Sequence, residues 1–164
     1  WGNICWIPNL TDLFFEMCLS SQYKEYINWN HLCQNSSISE SFWINHLDNI
    51  VWSELCKHQS LSDEFWECNI DNISWKHLCS NKNVNESFWE KAVCFYIKNI
   101  HWDILCSNKS LSGSFWNNHL DNIYWDVLIF NPSLSENFWN KHVDKLRGYV
   151  INVNSLYQNT FDKF

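Results

Sequence analysis

The repeating unit of this chain is clearest in residues 52–74, which read WSELCKHQSLSDEFWECNIDNIS. A tryptophan opens the unit, a leucine and a cysteine follow three and four residues later, and a second tryptophan comes fourteen residues after the first. A phenylalanine precedes that second tryptophan. The pattern recurs in six copies that start at residues 1, 29, 52, 75, 102 and 125. Such a fixed period, here about 23 residues, is the signature of a repeat protein.

Each copy predicts two short helices, of which the first carries Trp, Leu and Cys on one face at i, i+3 and i+4. An aspartate four residues before the tryptophan is the expected N-cap of this helix. An asparagine six residues after the tryptophan is expected to end the helix in the left-handed conformation. The predicted caps are Asp48, Asp71 and Asp121, and the predicted helix ends are Asn35, Asn81, Asn108 and Asn131.

The second helix of each copy begins with a clearer signal, a small polar residue followed by an acidic one. The predicted N-caps are Thr11, Ser39, Ser62, Asn85, Ser112 and Ser135. Acidic first-turn residues complement the positive end of the helix dipole, and they are Asp12, Glu40, Asp63, Glu86 and Glu136. An apolar residue before the cap lies five positions before the second tryptophan, the spacing of a hydrophobic staple, as at Leu61, Leu111 and Leu134.

Two helices of about two turns each cannot bury their apolar faces alone, so neighbouring copies must cover them. We therefore predict an all-α fold, an α-solenoid of six two-helix repeats in residues 1–146. Residues 147–164 are predicted to form a degenerate half-repeat or C-terminal cap, with Ile151, Asn154, Leu156 and Phe161 in roughly matching places.

Charge and composition narrow the classes of partner. The net charge is −7, and Arg147 is the single arginine, which argues against a nucleic-acid partner because phosphate binding needs clustered basic residues. No apolar run approaches the roughly 20 residues that span a bilayer, so membrane insertion is not expected. The chain starts at Trp1 without a visible signal peptide, from which we expect a soluble fragment or processed product.

The eight cysteines suggest disulfides, a metal site or core thiols. Equivalent helices of adjacent repeats pack about 8–10 Å apart, beyond the reach of a disulfide, which favours reduced core thiols at Cys5, Cys33, Cys56, Cys79 and Cys106. Cys68 and Cys94 lie in second helices of neighbouring copies, and a bond between them stays open. No Cys-x-x-Cys motif is present, so a structural zinc is not expected. A reducing compartment suits these thiols.

Three further patterns have a structural interpretation beside a functional one. His46, His119 and His142 share one repeat position, which favours a partly buried imidazole bonded to a neighbouring cap or carbonyl over a repeated functional site. The tryptophan rows favour core over an aromatic platform for sugars or proline-rich peptides, because their spacing to leucine points inward. The abundance of asparagine and serine explains the glycosylation sequons, which start at Asn9, Asn35, Asn72, Asn85 and Asn108.

The last copy carries a resemblance to a known family. Residues 125–134, WDVLIFNPSL, resemble the tandem W-x-x-L-S-x-N-P repeats of giant DNA viruses. The similarity in period and in Trp, Leu and Asn positions covers nearly the whole chain. This chain differs by using Cys for Ser and by having proline in only one late copy, at Pro132. The resemblance implies a viral, repeat-built protein and carries over no catalytic residue.

No nucleophile–base set, glycine-rich phosphate loop or separate carboxylate pair is visible, so we expect neither an enzyme nor a cofactor. The leading hypothesis is a scaffold for protein–protein contacts, and specifically a virion component, a minor capsid or cementing protein that contacts capsid subunits. The alternatives are an intracellular or host-directed adaptor and a secreted carbohydrate-binding or disulfide-stapled protein. The expected location is the virion or host cytoplasm. The expected contact positions are Asn30, His31, Ser53, Glu54, Asp126 and Val127.

Overall fold

A computed structural model describes residues 4–146 of the chain. Over this range the backbone forms α-helices and 3₁₀ helices and no β-strand, which confirms the predicted all-α class. The predicted half-repeat or cap in 147–164 lies outside the described residues. The α-helices are α1 (Asp12–Leu19), α2 (Trp29–Leu32), α3 (Glu40–Asn45), α4 (Trp52–His58), α5 (Asp63–Cys68), α6 (Trp75–Ser80), α7 (Glu86–Tyr96), α8 (Trp102–Cys106), α9 (Gly113–Asn118), α10 (Trp125–Leu128) and α11 (Glu136–Lys141).

The chain divides into two compact units, Trp1–His101 and Trp102–Phe164. The first unit holds the copies that start at 1, 29, 52 and 75, and the second holds those that start at 102 and 125. In the first unit, helix α4 packs against α6 and helix α5 against α7. In the second unit, α8 packs against α10. Within each unit, therefore, equivalent helices of adjacent copies cover one another.

The second tryptophan forms the centre of the core, as predicted, in the copies that start at 29, 52, 75 and 102, whereas Trp139 of the last copy is half-buried. Trp43, Trp66, Trp89 and Trp116 are fully buried, and the phenylalanine before each of them is buried as well. In the first copy Phe15 takes this place. The first tryptophan row is half-buried for the most part, and Trp6, which belongs to neither row, is 59% exposed. The interpretation of the second tryptophan row as core is confirmed.

Serine caps begin the second helices as predicted. The hydroxyl oxygens of Ser39, Ser62, Ser112 and Ser135 each accept a hydrogen bond from the backbone N–H of the phenylalanine three residues later, at 3.1 to 3.4 Å. Thr11 and Asn85 occupy the same N-cap position with extended backbone angles, but their side chains make no capping bond. The predicted N-cap positions are correct. The predicted side-chain capping bond is confirmed for the four serines and is wrong for Thr11 and Asn85.

The first helices begin differently from the prediction. Helix α4 starts at Trp52 itself, with Val51 as its N-cap, and helix α10 likewise follows Tyr124. The aspartates expected to cap these helices lie instead within 3₁₀ helices that link the copies, Leu47–Asn49, Ile70–Asn72 and Leu120–Asn122. The predicted capping by Asp48, Asp71 and Asp121 is therefore wrong.

An isoleucine row was not anticipated from the sequence. Each linking segment ends in an isoleucine two residues before the first tryptophan of the next copy. All five members of this row are buried: Ile27, Ile50, Ile73, Ile100 and Ile123. The linkers are thus part of the core, so each copy contributes three apolar elements instead of two.

Candidate protein-interaction surface

The asparagines expected to end the first helices join adjacent copies instead. Nδ2 of Asn81 donates to the carbonyl oxygens of Cys56 at 2.8 Å and Gln59 at 2.7 Å, both in the preceding copy. Its Oδ1 accepts from the backbone N–H of Asn83 at 2.9 Å. We call a side chain that makes this pair of backward bonds a bracket amide. Asn35, Gln59 and Asn131 are the other bracket amides within the two units.

The left-handed conformation predicted for these asparagines is wrong. Among the described residues, the non-glycine residue with a positive φ is Asn9, at 74°. Asn81 has a φ of −80° and a ψ of 112°, which is extended backbone. The helix ends at this asparagine because its side chain bonds outside the helix. Its Oδ1 accepts a hydrogen bond from the backbone N–H two residues later, and its Nδ2 donates to two carbonyls of the preceding copy. A buried amide needs such partners, since an unpaired buried polar group costs about 1–3 kcal/mol.

A second set of bonds between copies runs from hydroxyl to carboxylate. In the first unit, Glu40 accepts from the backbone N–H of Ser62 at 2.6 Å and from its hydroxyl at 2.7 Å. Asp12 makes the same two bonds with Ser39, and Asp63 accepts from the side chain of Asn85 at 3.0 Å. The first-turn acids therefore act on the next copy's helix start as well as on their own helix dipole.

The cysteine row also acts between copies. All five thiols of the row are buried, and Sγ of Cys106 accepts a bond from the backbone N–H of Tyr124 at 3.4 Å, at the start of the next first helix. Burial raises the pKa of Cys56 to about 12, against the lowering effect of the Ser74 backbone N–H. Burial likewise raises the pKa of Cys33 and Cys106 to about 11. These thiols are protonated at neutral pH and are structural acceptors, not nucleophiles.

The histidine row is partly buried, as predicted, although the bonding partner differs. The imidazole of His46 lies 4.4 Å from the Phe42 ring and 5.7 Å from the Trp29 ring, measured between centroids. Its Nε2 lies 2.8 Å from Oε1 of Glu16, in the preceding copy. In the second unit, His142 lies 2.8 Å from Oδ1 of Asn117, which is the equivalent residue. The partner is a side chain, neither a cap nor a carbonyl.

The remaining sequence candidates do not assemble into a site. Cys68 and Cys94 are both exposed and free, so the disulfide that the sequence left open is not formed. Asn35 is buried, with its amide bonded to two carbonyls, which leaves no room for a glycan at that sequon. Glu54 accepts from Gln34 at 2.9 Å and lies 3.6 Å from His58, so one of the expected contact positions takes part in an internal network.

Histidine occupies this repeat position in three copies, whereas Cys18, Asn69 and Ala92 occupy it in the others, and a groove opens beside Ala92. In the copy that starts at 75, Ala92 occupies the position that His46 occupies in the copy that starts at 29. Ala92 is the single alanine of the chain. Alanine favours the helix, and α7 continues through this position to Tyr96 instead of ending there. Tyr96 then turns back onto the Trp75 ring at a centroid distance of 5.6 Å.

The space that Ala92 leaves open is an apolar cavity of about 160 Å³. Ile70, Phe88, Ala92, Phe95 and Tyr96 form its apolar walls. Glu67 and Lys91 are its charged members, and they form an ion pair at 2.7 Å between α5 and α7. We call this feature the Ala92 groove. Its signal in the sequence is an alanine at a position where three other copies carry a histidine.

The Ala92 groove lies within an acidic set of helices. Helices α1, α3, α5 and α7 of the first unit carry eight carboxylates and one lysine, Lys91. The first helices of the same unit, α2, α4 and α6, carry one carboxylate, Glu54, and two lysines, Lys57 and Lys76. The negative charge of the first unit is therefore concentrated on its second helices.

Exposed apolar side chains accompany the carboxylates of the second helices. Phe95, at the end of α7, is 78% exposed, and Leu13 and Met17 of α1 are 70% and 62% exposed. Isolated exposed apolar residues are ordinary, but Phe95 lines a concave feature as well. An apolar centre with a polar rim is the usual composition of a protein-binding site.

Between residues 4 and 146, no group of three His, Cys, Asp or Glu side chains could hold a metal ion. Within that same range, no helix has the length and hydropathy needed to cross a bilayer.

Comparison with known proteins adds no relative. No protein-family model matches the chain, and no curated protein or solved structure is significantly similar to it. The resemblance of residues 125–134 to viral tandem repeats therefore stays a prediction from the motif.

Proposed function

We propose that this chain is a non-enzymatic repeat scaffold that mediates protein–protein contacts, and that it serves as a virion structural component, a minor capsid or cementing protein. The observation that carries the scaffold proposal is the Ala92 groove on the acidic second helices of the first unit. The virion assignment rests on the resemblance of the repeat motif to viral tandem repeats.

The bonding between copies supports a scaffold in a second way. The positions that repeat in the sequence, the bracket amides, the cap serines and the core thiols, are used to hold neighbouring copies together. Positions that vary between copies, such as Ala92 and Phe95, are those that shape the surface. In repeat proteins this separation allows the outer surface to change without loss of the fold.

Protein composition of purified virus particles tests the virion assignment. We expect the chain to co-purify with particles in a constant ratio to the major capsid protein, and to remain after a protease treatment that removes adhering proteins. A chain that is abundant in infected cells and absent from treated particles would contradict a structural role in the virion. That result would favour the adaptor alternative.

A further inference from the structure

We infer that the Ala92 groove binds one leucine- or phenylalanine-sized side chain of a lysine- and arginine-rich segment of another protein. The inference rests on the proposed scaffold function and adds the chemistry of the partner. It depends on three features of the groove, namely its size, the charges around it and the reason why it is open.

The size of the cavity fits one apolar side chain. Its volume is about 160 Å³, and a cavity of about 150 Å³ accommodates a benzene-sized group. The floor contains Phe88 and Ala92, which are buried, while Phe95 is 78% exposed. An incoming side chain would cover the exposed ring of Phe95 and remove apolar surface of both partners from water, which is the main source of affinity in such pockets.

The charges around the groove select a basic segment. Lys91 is paired with Glu67 at 2.7 Å, and its pKa is raised by that hydrogen bond and by the charges of Glu67, Asp63 and Glu64. Asp63 and Glu64 act on this ammonium group through their charges. Glu67 is paired with Lys91, and Asp63 accepts hydrogen bonds from Asn85 and Ser87. The attraction for a cationic partner therefore comes from the exposed Glu64 and from the excess of carboxylates on the second helices, and opposite potentials favour the encounter of two surfaces.

The same charges argue against a second copy of this chain as the occupant. The chain has a net charge of −7, and two copies that met through their second helices would place carboxylates against carboxylates. Like charges in an interface cost several kcal/mol.

The copy that starts at residue 1 has an apolar cavity at the equivalent place, beside Phe14 and Cys18, and the Ala92 groove differs from it by its charged members Glu67 and Lys91. In the other copies with a histidine at this position, the imidazole covers the rings of the core, as His46 does over Phe42. The substitution Ala92→His therefore fills the groove with a side chain that the repeat already accommodates. It changes the cavity while leaving the carboxylates of α5 and α7 in place, which makes it a sharp test.

Fluorescence anisotropy with synthetic peptides tests the inference. The probe is a fluorescein-labelled amphipathic peptide of lysine and leucine with one phenylalanine. A matched peptide replaces that phenylalanine by alanine, and a third replaces every lysine by glutamate. We expect the first peptide to bind the full chain, the alanine peptide to bind about tenfold more weakly, as expected for loss of a buried anchor, and the acidic peptide not to bind.

Variants of the chain separate the groove from general charge attraction. Ala92→His and Phe95→Ala are each expected to weaken binding of the phenylalanine peptide about tenfold. Phe130→Ala is the matched control, because Phe130 is 75% exposed in the second unit and should leave binding unchanged. Circular dichroism melting curves check that each variant is folded.

Two results would overturn the inference: equal binding by the Ala92→His variant and the unaltered chain, or no binding of the basic phenylalanine peptide. Either result leaves the virion proposal intact, because that proposal is tested by particle composition. Conversely, absence from particles would not affect the peptide measurements.

Discussion

The side-chain amide of Asn81 donates to the backbone carbonyl of Cys56, 25 residues earlier in the chain, at 2.8 Å. The bond joins the end of one first helix to the end of the preceding one. A second bond, to the Gln59 carbonyl at 2.7 Å, fixes the register of the two copies. Asn81 is only 2% exposed, so water does not replace these bonds, and the pair stabilises the contact between α4 and α6.

Loss of a bracket amide should destabilise the first unit. We expect Asn81→Ala to lower the free energy of unfolding by about 2–3 kcal/mol, because two buried carbonyls lose their donors. Urea denaturation followed by tryptophan fluorescence measures the change. Asn83→Ala is the control, since Asn83 is exposed and takes part through its backbone N–H. A loss below about 0.5 kcal/mol for Asn81→Ala, the range of ordinary surface substitutions, would show that the bracket bonds contribute little.

The second unit has a glycine where the first unit has a first-turn carboxylate, and a substitution can introduce that carboxylate. Gly113 occupies the position of Glu40, which bonds to the cap serine of the next copy in the first unit. A Cβ at Gly113 would lie 3.4 Å from the Phe138 ring, an ordinary contact. We expect Gly113→Glu to raise the free energy of unfolding by about 2 kcal/mol, of which about half comes from helix propensity and about half from the new bonds to Ser135. Gly113→Ala should give the propensity part alone, and equal gains for both variants would exclude the carboxylate bond.

The buried indole groups allow a test of core packing. The Nε1 atoms of Trp43, Trp66, Trp89 and Trp116 are buried and have no hydrogen-bond partner among the described residues. Trp66→Ala should cost about 3–5 kcal/mol as a large core truncation. Trp66→Phe should cost less than about 2 kcal/mol, because removal of the unpaired indole N–H partly offsets the loss of ring volume. Thermal or urea unfolding compares the two, and equal costs would show that the indole N–H is satisfied.

Thiol reactivity should divide the eight cysteines into two classes. Cys68 and Cys94 are exposed, and the other six are buried. We expect a colourimetric disulfide reagent to modify two thiols rapidly in the folded chain and the remaining six only when urea unfolds it. The double variant Cys68→Ser, Cys94→Ser should lose the rapid phase. Rapid modification of more than two thiols would show that the cysteine row is accessible.

Stability should fall at alkaline pH through the cysteine row. Burial raises the pKa of Cys56 to about 12 and that of Cys33 and Cys106 to about 11, from 9.0. The unfolded chain therefore releases these protons at lower pH than the folded chain, so the stability is fully present below about pH 9 and is lost as pH rises toward 12. Urea denaturation from pH 7 to 11 measures this slope. Cys56→Ser should make the slope shallower, whereas an unchanged slope would assign it to other groups.

The serine caps and the buried second tryptophans can be predicted from the sequence because they depend on residues close together in the chain. The cap at Ser62 needs only the N–H of Phe65, three residues later, and the burial of Trp66 follows from helical spacing. The role of Asn81 could not be predicted in this way, because its partners lie in another copy and depend on the register between copies.

The first-helix start and the groove show two further limits. Asp48 is a residue type that often caps helices. The buried Ile50 nevertheless directs the chain into the core, and the helix starts at Trp52. Ala92 is visible as an exception in the sequence, yet the groove also requires Tyr96 to lie over Trp75. That contact depends on how far α7 extends, which a residue pattern does not determine.

The bracket amides and cap carboxylates give each junction within the first unit a direction. A copy offers carbonyls and a carboxylate to the copy after it, and offers an amide and a hydroxyl to the copy before it. Each of these copies therefore carries the acceptors for the junction that follows it and the donors for the junction that precedes it. Duplication or deletion of one whole copy within the first unit by recombination would leave no donor or acceptor unmatched at the new junction, so an array built in this way can change its length in evolution while the chemistry of its interior stays the same.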